Sequence, residues 1–237
     1  MHDRSGAPLG VRHPRRQTAR RAGQAQPRRD DGGLCRLGRH RRRAGHPCPV
    51  VQNYFGTASA QCGSLLPTGN AVDEIDGVRL TMIDNGMPNV VIAASNLGLT
   101  GTEIIEDLEA NAALKERLEA IRLQCGPLMG LGEVTDKTVP KMCLVSPPHA
   151  GGLIATRSFI PHRVHQSVGV LATATVATAD VAAPVTSNPL RAEIEHPTGK
   201  LRVEIETEVR DGIPVPIRSG IVHTARKLFD GTVFALV

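Results

Sequence analysis

An abrupt change of composition near residue 49 is the feature that most constrains how this chain can fold. Residues 1–48 contain thirteen Arg, three Asp and no Lys or Glu, which gives a net charge of +10. The remaining 189 residues contain 15 basic and 20 acidic side chains and carry a net charge of −5. The first segment is almost free of aliphatic side chains, so burial cannot offset the entropy of ordering it. We therefore expect the folded core within residues 49–237.

Three interpretations of the Arg-rich segment are open. Arg mixed with Gly, Pro and Ala but without Lys is typical of GC-rich coding DNA translated out of frame, which would make residues 1–48 a frameshifted or mis-started segment. A disordered basic tail has a similar composition. A basic arm that neutralises nucleic-acid phosphates is the third, and its binding would depend strongly on salt. We favour the first, so nucleic acid is not the expected partner.

Composition also limits the other classes of protein. The chain contains no run of eighteen apolar residues, so no membrane span is predicted. The N-terminus lacks the apolar stretch of a signal peptide. With no Trp, one Tyr and four Phe, the core must rely on Val, Ile, Leu and Ala. The cysteines form no CxxC pair, which favours reduced thiols in a cytoplasmic protein. They are Cys35, Cys48, Cys62, Cys125 and Cys143.

Short β-branched runs alternate with turn signals through the rest of the chain, which predicts a series of strands. The predicted strands cover residues 78–83, 89–93, 139–146, 153–159, 191–196 and 200–208, with a last one between 221 and 234. The turn over residues 84–88 (DNGMP) joins the first two strands. Pro197, Thr198 and Gly199 form the turn of a hairpin.

One amphipathic stretch predicts helix. Thr100 and Glu103 have capping-box spacing, so we expect the helix to begin there. Apolar residues then recur at helical spacing from residue 104 to residue 123. Gly126 is expected to end the helix and Pro127 to reinforce the stop. Asn111 is a candidate point of division into two shorter helices.

The segment from Ser167 to residue 179 is small or β-branched throughout. It lacks strict alternation, and a side-chain pattern that is small all round suits a buried helix threaded through strands. We predict a central helix over about residues 166–179, with Ser167 in or near its first turn. Free backbone N–H groups near Gly169 would then offer a site for a carboxylate.

Several long blocks of the sequence resemble the PrpF family, which includes 2-methylaconitate cis-trans isomerase and 4-oxalomesaconate tautomerase. The sequence of these blocks resembles the tautomerase branch most, and that branch acts in the breakdown of gallate and protocatechuate. The blocks are GSLLPTGNAVDEIDG (63–77), IDNGMPNVVI (83–92), RLQCGPLMGLG (122–132), KTVPKMCLVSPP (137–148), TRSFIPHRVHQSVGVLATATVATA (156–179), EHPTG (195–199) and TARKLFDGTVF (224–234).

The resemblance implies an α+β fold similar to diaminopimelate epimerase, in which two β-rolls each surround a central helix and the active site lies between them. The resemblance divides the chain into four parts. Residues 1–48 stand outside the fold, residues 49–77 are a remnant of the first roll and a linker, residues 78–218 form a complete second roll, and residues 219–237 return to the first roll.

The resemblance also implies the chemistry. A proton and a double bond would shift in a small unsaturated polycarboxylate such as 4-oxalomesaconate, with no cofactor and no metal. The family's proton carriers, a Lys and a Cys in the first roll, have no counterpart here, because residues 1–48 lack Lys and Cys35 has no matching context. The catalytic residues are therefore unknown. A catalytically inactive, truncated fragment and a nucleic-acid-binding protein with a basic tail remain alternatives, and a homo-oligomer stays open.

The substrate-binding half of the site is carried over as an expectation. Asn85 resembles the asparagine that holds substrate carboxylates in the related epimerases. His165, Ser167 and Gly169 lie where the family presents the second central helix to the substrate. Arg157 is a candidate for a bidentate contact with a carboxylate, although a surface role suits it as well.

Four further residues are weaker candidates. Lys141 and Cys143 are two positions apart on a strand and share one face, which is an arrangement that suits a base and an acid. A cysteine in an apolar strand is usually a packing residue, and Cys62 receives the same interpretation. His162 and His165 have metal-ligand spacing but no third ligand, so no metal is expected.

Overall fold

The computed structural model describes residues 26–27, 48–169, 171–173, 175–176, 190–210 and 213–225. The strands are β1 (Gln26–Pro27), β2 (Cys48–Phe55), β3 (Asp73–Ile75), β4 (Val78–Asp84), β5 (Pro88–Ala93), β6 (Lys141–Ser146), β7 (Ile154–Ile160), β8 (Arg163–Val164), β9 (Leu190–His196), β10 (Gly199–Arg210) and β11 (Ile213–Ala225). The helices are α1 (Ile105–Ala110) and α2 (Ala112–Leu128), with a 3₁₀ turn at Ala94–Leu97. Residues 171–173 and 175–176 are also helical, and we call them the inner helical segment.

Within these ranges the strands form one mixed sheet in the order β1-β2-β11-β10-β9-β7-β6-β5-β4-β3, with β8 paired to β7. Two neighbouring pairs are parallel, β5 with β6 and β7 with β9, and the others are antiparallel. A parallel pair requires a long crossover. The first crossover contains α1 and α2, and the second contains the inner helical segment, so the α+β class is confirmed.

Strands β5 and β6 are buried on both faces, which explains their largely apolar sequences. In β4 the first half alternates, with Arg79 exposed, and the last three residues are buried. On one face, large side chains pack against α1 and α2, and each contributes about 1.5–3 kcal/mol by burial. This set includes Leu80, Met82, Val90, Ile92, Met142 and Leu144 with Leu108, Leu118 and Ile121. On the opposite face, Ile83, Val91 and Cys143 pack against Val176 of the inner helical segment. The predicted burial of a helix at this position is therefore confirmed for the residues that are described.

The strand predictions from residue 78 to residue 208 are confirmed to within a few residues. In the hairpin of β9 and β10, His196 pairs with Gly199, so Pro197 and Thr198 form the turn. Strand β11 begins at Ile213, earlier than the predicted residue 221, and pairs antiparallel with β2. It crosses residue 219, where the sequence places a boundary. The division of the chain between two rolls remains a prediction.

Three local predictions are wrong. Glu103 accepts hydrogen bonds from the backbone N–H groups of Thr100 (2.7 Å) and Gly101 (2.8 Å), but this turn stands alone and α1 begins later, at Ile105. Asn111, by contrast, caps α2, because its Oδ1 accepts from the backbone N–H of Leu114 at 3.0 Å. Gly126 does not end α2, which continues to Leu128.

The third error concerns the start of the central helix. The helix was predicted to begin at about residue 166, whereas residues 166 and 167 form a bend, so Ser167 lies just before the first helical turn. The first described helical bond runs from the backbone N–H of Thr173 to the carbonyl of Gly169 at 2.7 Å, which places Gly169 at the N-cap. Residue 170 and the end of the predicted helix lie outside the described residues, as does most of the Arg-rich segment. None of the described helices is both long and apolar enough to cross a membrane.

Candidate functional site

Asn85 is completely buried in the turn between β4 and β5 and ties three parts of the chain together. Its Oδ1 accepts from the hydroxyl of Thr57 at 2.8 Å, and its Nδ2 donates to the hydroxyl of Ser219 at 3.0 Å. The next residue, Gly86, has a φ of +92°, and a Cβ there would lie 3.0 Å from Thr57 and 3.5 Å from Leu171. The turn therefore packs directly against the start of the inner helical segment.

The neighbouring Asp84 organises the loop that precedes β3. Its buried carboxylate accepts from the backbone N–H groups of Gln61 (2.7 Å), Cys62 (2.8 Å) and Gly86 (3.0 Å). Burial, reinforced by the negative charge of Asp84, raises the pKa of the Cys62 thiol to about 12. A thiol in that state is protonated at neutral pH and is a poor base, so Cys62 acts as a packing residue.

Lys141 is the only cation that the described contacts place beside the N-cap of the inner helical segment. It begins β6, and its side chain is half-buried. In the described part of the chain its ammonium group has no hydrogen-bonding or ion-pairing partner, and burial lowers its pKa. A Cβ on Gly169 would lie 3.9 Å from Lys141 Nζ. Because Gly169 has no side chain, space remains next to an ammonium group that has no partner among the described residues.

Cys143 shares the inner face of β6 with Lys141, as predicted, but it is not available for chemistry. Its side chain is completely buried against Ile83, Val91 and Val176. Burial raises its pKa to about 11. The structure therefore supports the interpretation of Cys143 as a packing residue.

Ser167 lies between two histidines, both of them half-buried. The backbone N–H of Ser167 donates to Nδ1 of His165 at 2.9 Å. The Ser167 hydroxyl lies 3.4 Å from Nε2 of His196, which ends β9. The other nitrogen of His196 lies 3.2 Å from the Thr198 hydroxyl, which donates to the carbonyl of Gln166 at 2.9 Å. The hairpin of β9 and β10 thus holds the bend that carries Ser167.

Arg157 lies on the other side of the sheet. It is opposite Leu144 in β6, and Leu144 packs toward α1 and α2. The guanidinium donates to the backbone carbonyls of Glu103 and Thr156, both at 2.9 Å. These contacts fix the turn before α1, and they separate Arg157 from the face that carries Lys141.

Glu195 connects the site to the loop between β6 and β7. Its carboxylate accepts from the backbone N–H groups of His149 (2.8 Å), Ala150 (2.8 Å) and Gly152 (2.7 Å). These backbone donors stabilise the charged form and so hold the pKa of Glu195 below its ordinary value, and the hydrogen bond from His149 has the largest effect. The carboxylate thereby fixes this loop.

Comparison with known proteins identifies the family. The family model described as PrpF protein matches residues 42–236. The chain belongs to the PrpF family. It is 47% identical over 199 residues to the (4E)-oxalomesaconate Delta-isomerase of Novosphingobium sp. and 49% identical over 200 residues to the 4-oxalomesaconate tautomerase of Pseudomonas putida.

Both alignments cover 80% of this chain but only 55% and 54% of those two proteins, so the chain spans about half the length of the curated relatives it matches. The crystal structure of methylitaconate-delta-isomerase has the same fold, with a TM-score of 0.66 at 23% identity. That match covers 78% of this chain and 55% of the other. The expected fold is therefore confirmed.

In this PrpF-family chain, the structure brings Asn85, His165, Ser167 and Gly169 to the start of the inner helical segment. The sequence pattern favoured neither Lys141 nor His196 as a site residue. A polar residue next to a hairpin turn, as in EHPTG, is a signal that could have drawn attention to His196. No three His, Cys, Asp or Glu side chains in the described ranges are placed to hold a metal ion together.

Proposed function

We propose that this protein is an isomerase that shifts a proton and a double bond in a small unsaturated polycarboxylate of the 4-oxalomesaconate type. The printed names of the two relatives at 47% and 49% identity support this substrate class. The resemblance to the tautomerase branch supports a role in the cytoplasmic breakdown of aromatic compounds such as gallate. The oligomeric state stays open to a homo-oligomer.

The observation that carries the proposal is the ammonium of Lys141, which has no partner among the described residues and lies next to Gly169. A substrate with several carboxylates needs cations that are not already neutralised, and removal of a carbon-bound proton adds further negative charge. At 4 Å, two opposite charges near a protein surface attract by about 4 kcal/mol. Lys141 would therefore hold one substrate carboxylate in the space that Gly169 leaves open.

The remaining candidate contacts have distinct roles in this proposal. Ser167 and His165 would lie beside the bound substrate, and Asn85 would position the turn that closes the site. Arg157 would stabilise the fold, because its described hydrogen bonds go to backbone carbonyls. The proton carriers remain unassigned, since burial holds Cys62 and Cys143 in the protonated form.

A spectrophotometric assay of the conjugated substrate with the full chain tests the proposal. Lys141→Met should raise KM roughly 10- to 100-fold, since a hydrogen bond to a charged group contributes about 1.5–3 kcal/mol. Lys141→Arg should recover part of the loss because it retains the charge. Lys115→Met is the matched control, since its partner Glu109 forms only a surface ion pair. The proposal fails if the chain does not turn over 4-oxalomesaconate, or if Lys141→Met behaves as wild type.

A further inference from the structure

The hydrogen bonds around Ser167 determine which nitrogen of each histidine carries a proton. The Thr198 hydroxyl has one hydrogen, and it donates that hydrogen to the carbonyl of Gln166. Toward Nδ1 of His196, Thr198 can therefore only accept, so Nδ1 is the protonated nitrogen. Nε2 of the neutral ring is then a free acceptor, and the Ser167 hydroxyl donates to it.

His165 has the opposite tautomer. Its Nδ1 accepts from the backbone N–H of Ser167, so in the neutral ring the hydrogen lies on Nε2. Ser167 is thus held by two imidazoles, one at its backbone N–H and one at its hydroxyl. Protonation of Nε2 of His196 would break the hydrogen bond from the Ser167 hydroxyl, so this bond requires a neutral His196 ring.

The surroundings of His196 favour the neutral ring. Burial is the main cause that lowers its pKa, the carbonyl of Gln166 opposes the shift, and electrostatic contributions from His165 and, across the sheet, from Arg157 lower the pKa further. At neutral pH the Ser167 hydroxyl hydrogen is therefore committed to His196. The Ser167 oxygen keeps its lone pairs for a group that carries a hydrogen, such as a hydroxyl.

We propose that Ser167 and His196 form a proton relay that accepts the hydroxyl proton of the enol form of the substrate. The enol O–H bond breaks as its proton passes to Ser167 Oγ, while the Ser167 proton passes to Nε2 of His196. The electron pair stays on the enolate oxygen, and His196 becomes an imidazolium whose Nδ1–H is bound by Thr198. This inference rests on the proposed function, because it assigns one step of that reaction.

The spacing of the site suits this role. Ser167 and Gly169 are two residues apart, and two residues span at most about 7 Å. A carboxylate beside Lys141 and an enol oxygen beside Ser167 would therefore fit within one small polycarboxylate. The 3.4 Å between Ser167 Oγ and His196 Nε2 is long, as catalytic hydrogen bonds often are before a substrate binds. His196 acts through Ser167, so it is a positioning residue for this step.

Nitrogen NMR of the imidazoles tests the relay without any need for turnover. In the full chain labelled with ¹⁵N-histidine, His196 should be protonated on Nδ1 and unprotonated on Nε2 at pH 8. Ser167→Ala removes the donor that stabilises the neutral ring, so it should raise the pKa of His196. Thr198→Val should shift the proton toward Nε2, whereas Thr198→Ser should preserve the wild-type tautomer. A wild-type His196 protonated on Nε2 overturns the proposal.

Kinetics then test the proton transfer itself. His196→Gln should lower kcat by about 10²- to 10⁴-fold, the usual range for acid–base groups, with KM changed less than about threefold. It should also abolish the fall of kcat/KM at acidic pH, which a merely structural loss would not change. His149→Gln, an exposed histidine, is the control. Turnover by wild type with an unchanged pH profile in His196→Gln overturns the relay alone, whereas no turnover by wild type overturns the proposed function as well.

Discussion

Arg122 of α2 is completely buried and should be one of the most sensitive positions for stability. Its Nε and Nη2 donate to the two carboxylate oxygens of Glu119 at 2.7 Å and 2.8 Å. Its Nη1 donates to the carbonyls of Lys137 and Val139, each at 3.2 Å. Those carbonyls belong to the segment that leads into β6. Arg122 therefore supports the strand that carries Lys141.

Replacement of Arg122 by Met removes all four hydrogen bonds while it retains much of the side-chain volume. Removal of one partner from a buried ion pair costs about 3–5 kcal/mol. The Glu119 side chain is 23% exposed, so water can partly solvate the carboxylate that is left. We therefore expect the lower end of the range, about 3 kcal/mol. For a domain of this size that corresponds to a loss of about 6–12 °C in Tm.

Urea denaturation followed by circular dichroism measures this loss directly. Arg117→Met, at an exposed position of the same helix, is the matched control and should change the free energy of unfolding by no more than about 0.5 kcal/mol. The hydrogen bond from Arg122 is the main cause that lowers the pKa of Glu119. A lowered carboxyl pKa stabilises the fold above about pH 4.5 and loses that effect as the pH falls. An Arg122→Met variant within 1 kcal/mol of wild type at pH 7 would refute the reasoning.

Two further predictions concern packing and acid stability. Gly126→Ala should destabilise the fold by about 1–3 kcal/mol, because a Cβ there would lie 2.5 Å and 2.6 Å from the methyl groups of Val134. Val134→Ala should recover part of this loss in a double variant, as measured by urea denaturation. Glu195→Gln should lower Tm at pH 7 but much less near pH 3, since the lowered carboxyl pKa contributes stability only while Glu195 is charged. An equal loss at both pH values would contradict the role of the charge.

The local patterns of the sequence predicted most of the strands. The alternation along β9 and β10 and the residues Pro197 and Thr198 define a hairpin without reference to the rest of the chain. The division of the helices at Asn111 was also predictable, because the side chain of an N-cap residue accepts from the backbone N–H three positions later. Both signals act over a few residues, which is why sequence alone contains them.

The errors arise where distant segments meet. Thr100 and Glu103 have the spacing of a cap, but the carbonyl of Glu103 accepts from Arg157 of β7, and α1 begins only at Ile105. Gly126 is required by the close approach of Val134 and not by a helix end. A glycine in sequence does not show which of these two reasons applies.

The candidate site shows the same limit. The residues near Gly169 were predictable because they lie on one continuous segment. The contribution of His196 comes from a hairpin about thirty residues later in the chain. Arg157 has the charge that a carboxylate requires, but the pairing of β7 with β6 turns it toward α1. Which face of a strand meets the site depends on register, and the sequence of one strand does not define it.

An NMR titration of the full chain with tricarballylate tests the central claim most directly. This saturated tricarboxylate cannot isomerise, so the measurement reports binding alone. We expect the largest amide shifts at Ser167 and Gly169, and at least about a tenfold loss of affinity in Lys141→Met with little change in Lys115→Met. Shifts centred elsewhere, or equal affinity in wild type and Lys141→Met, would contradict a carboxylate site at Lys141.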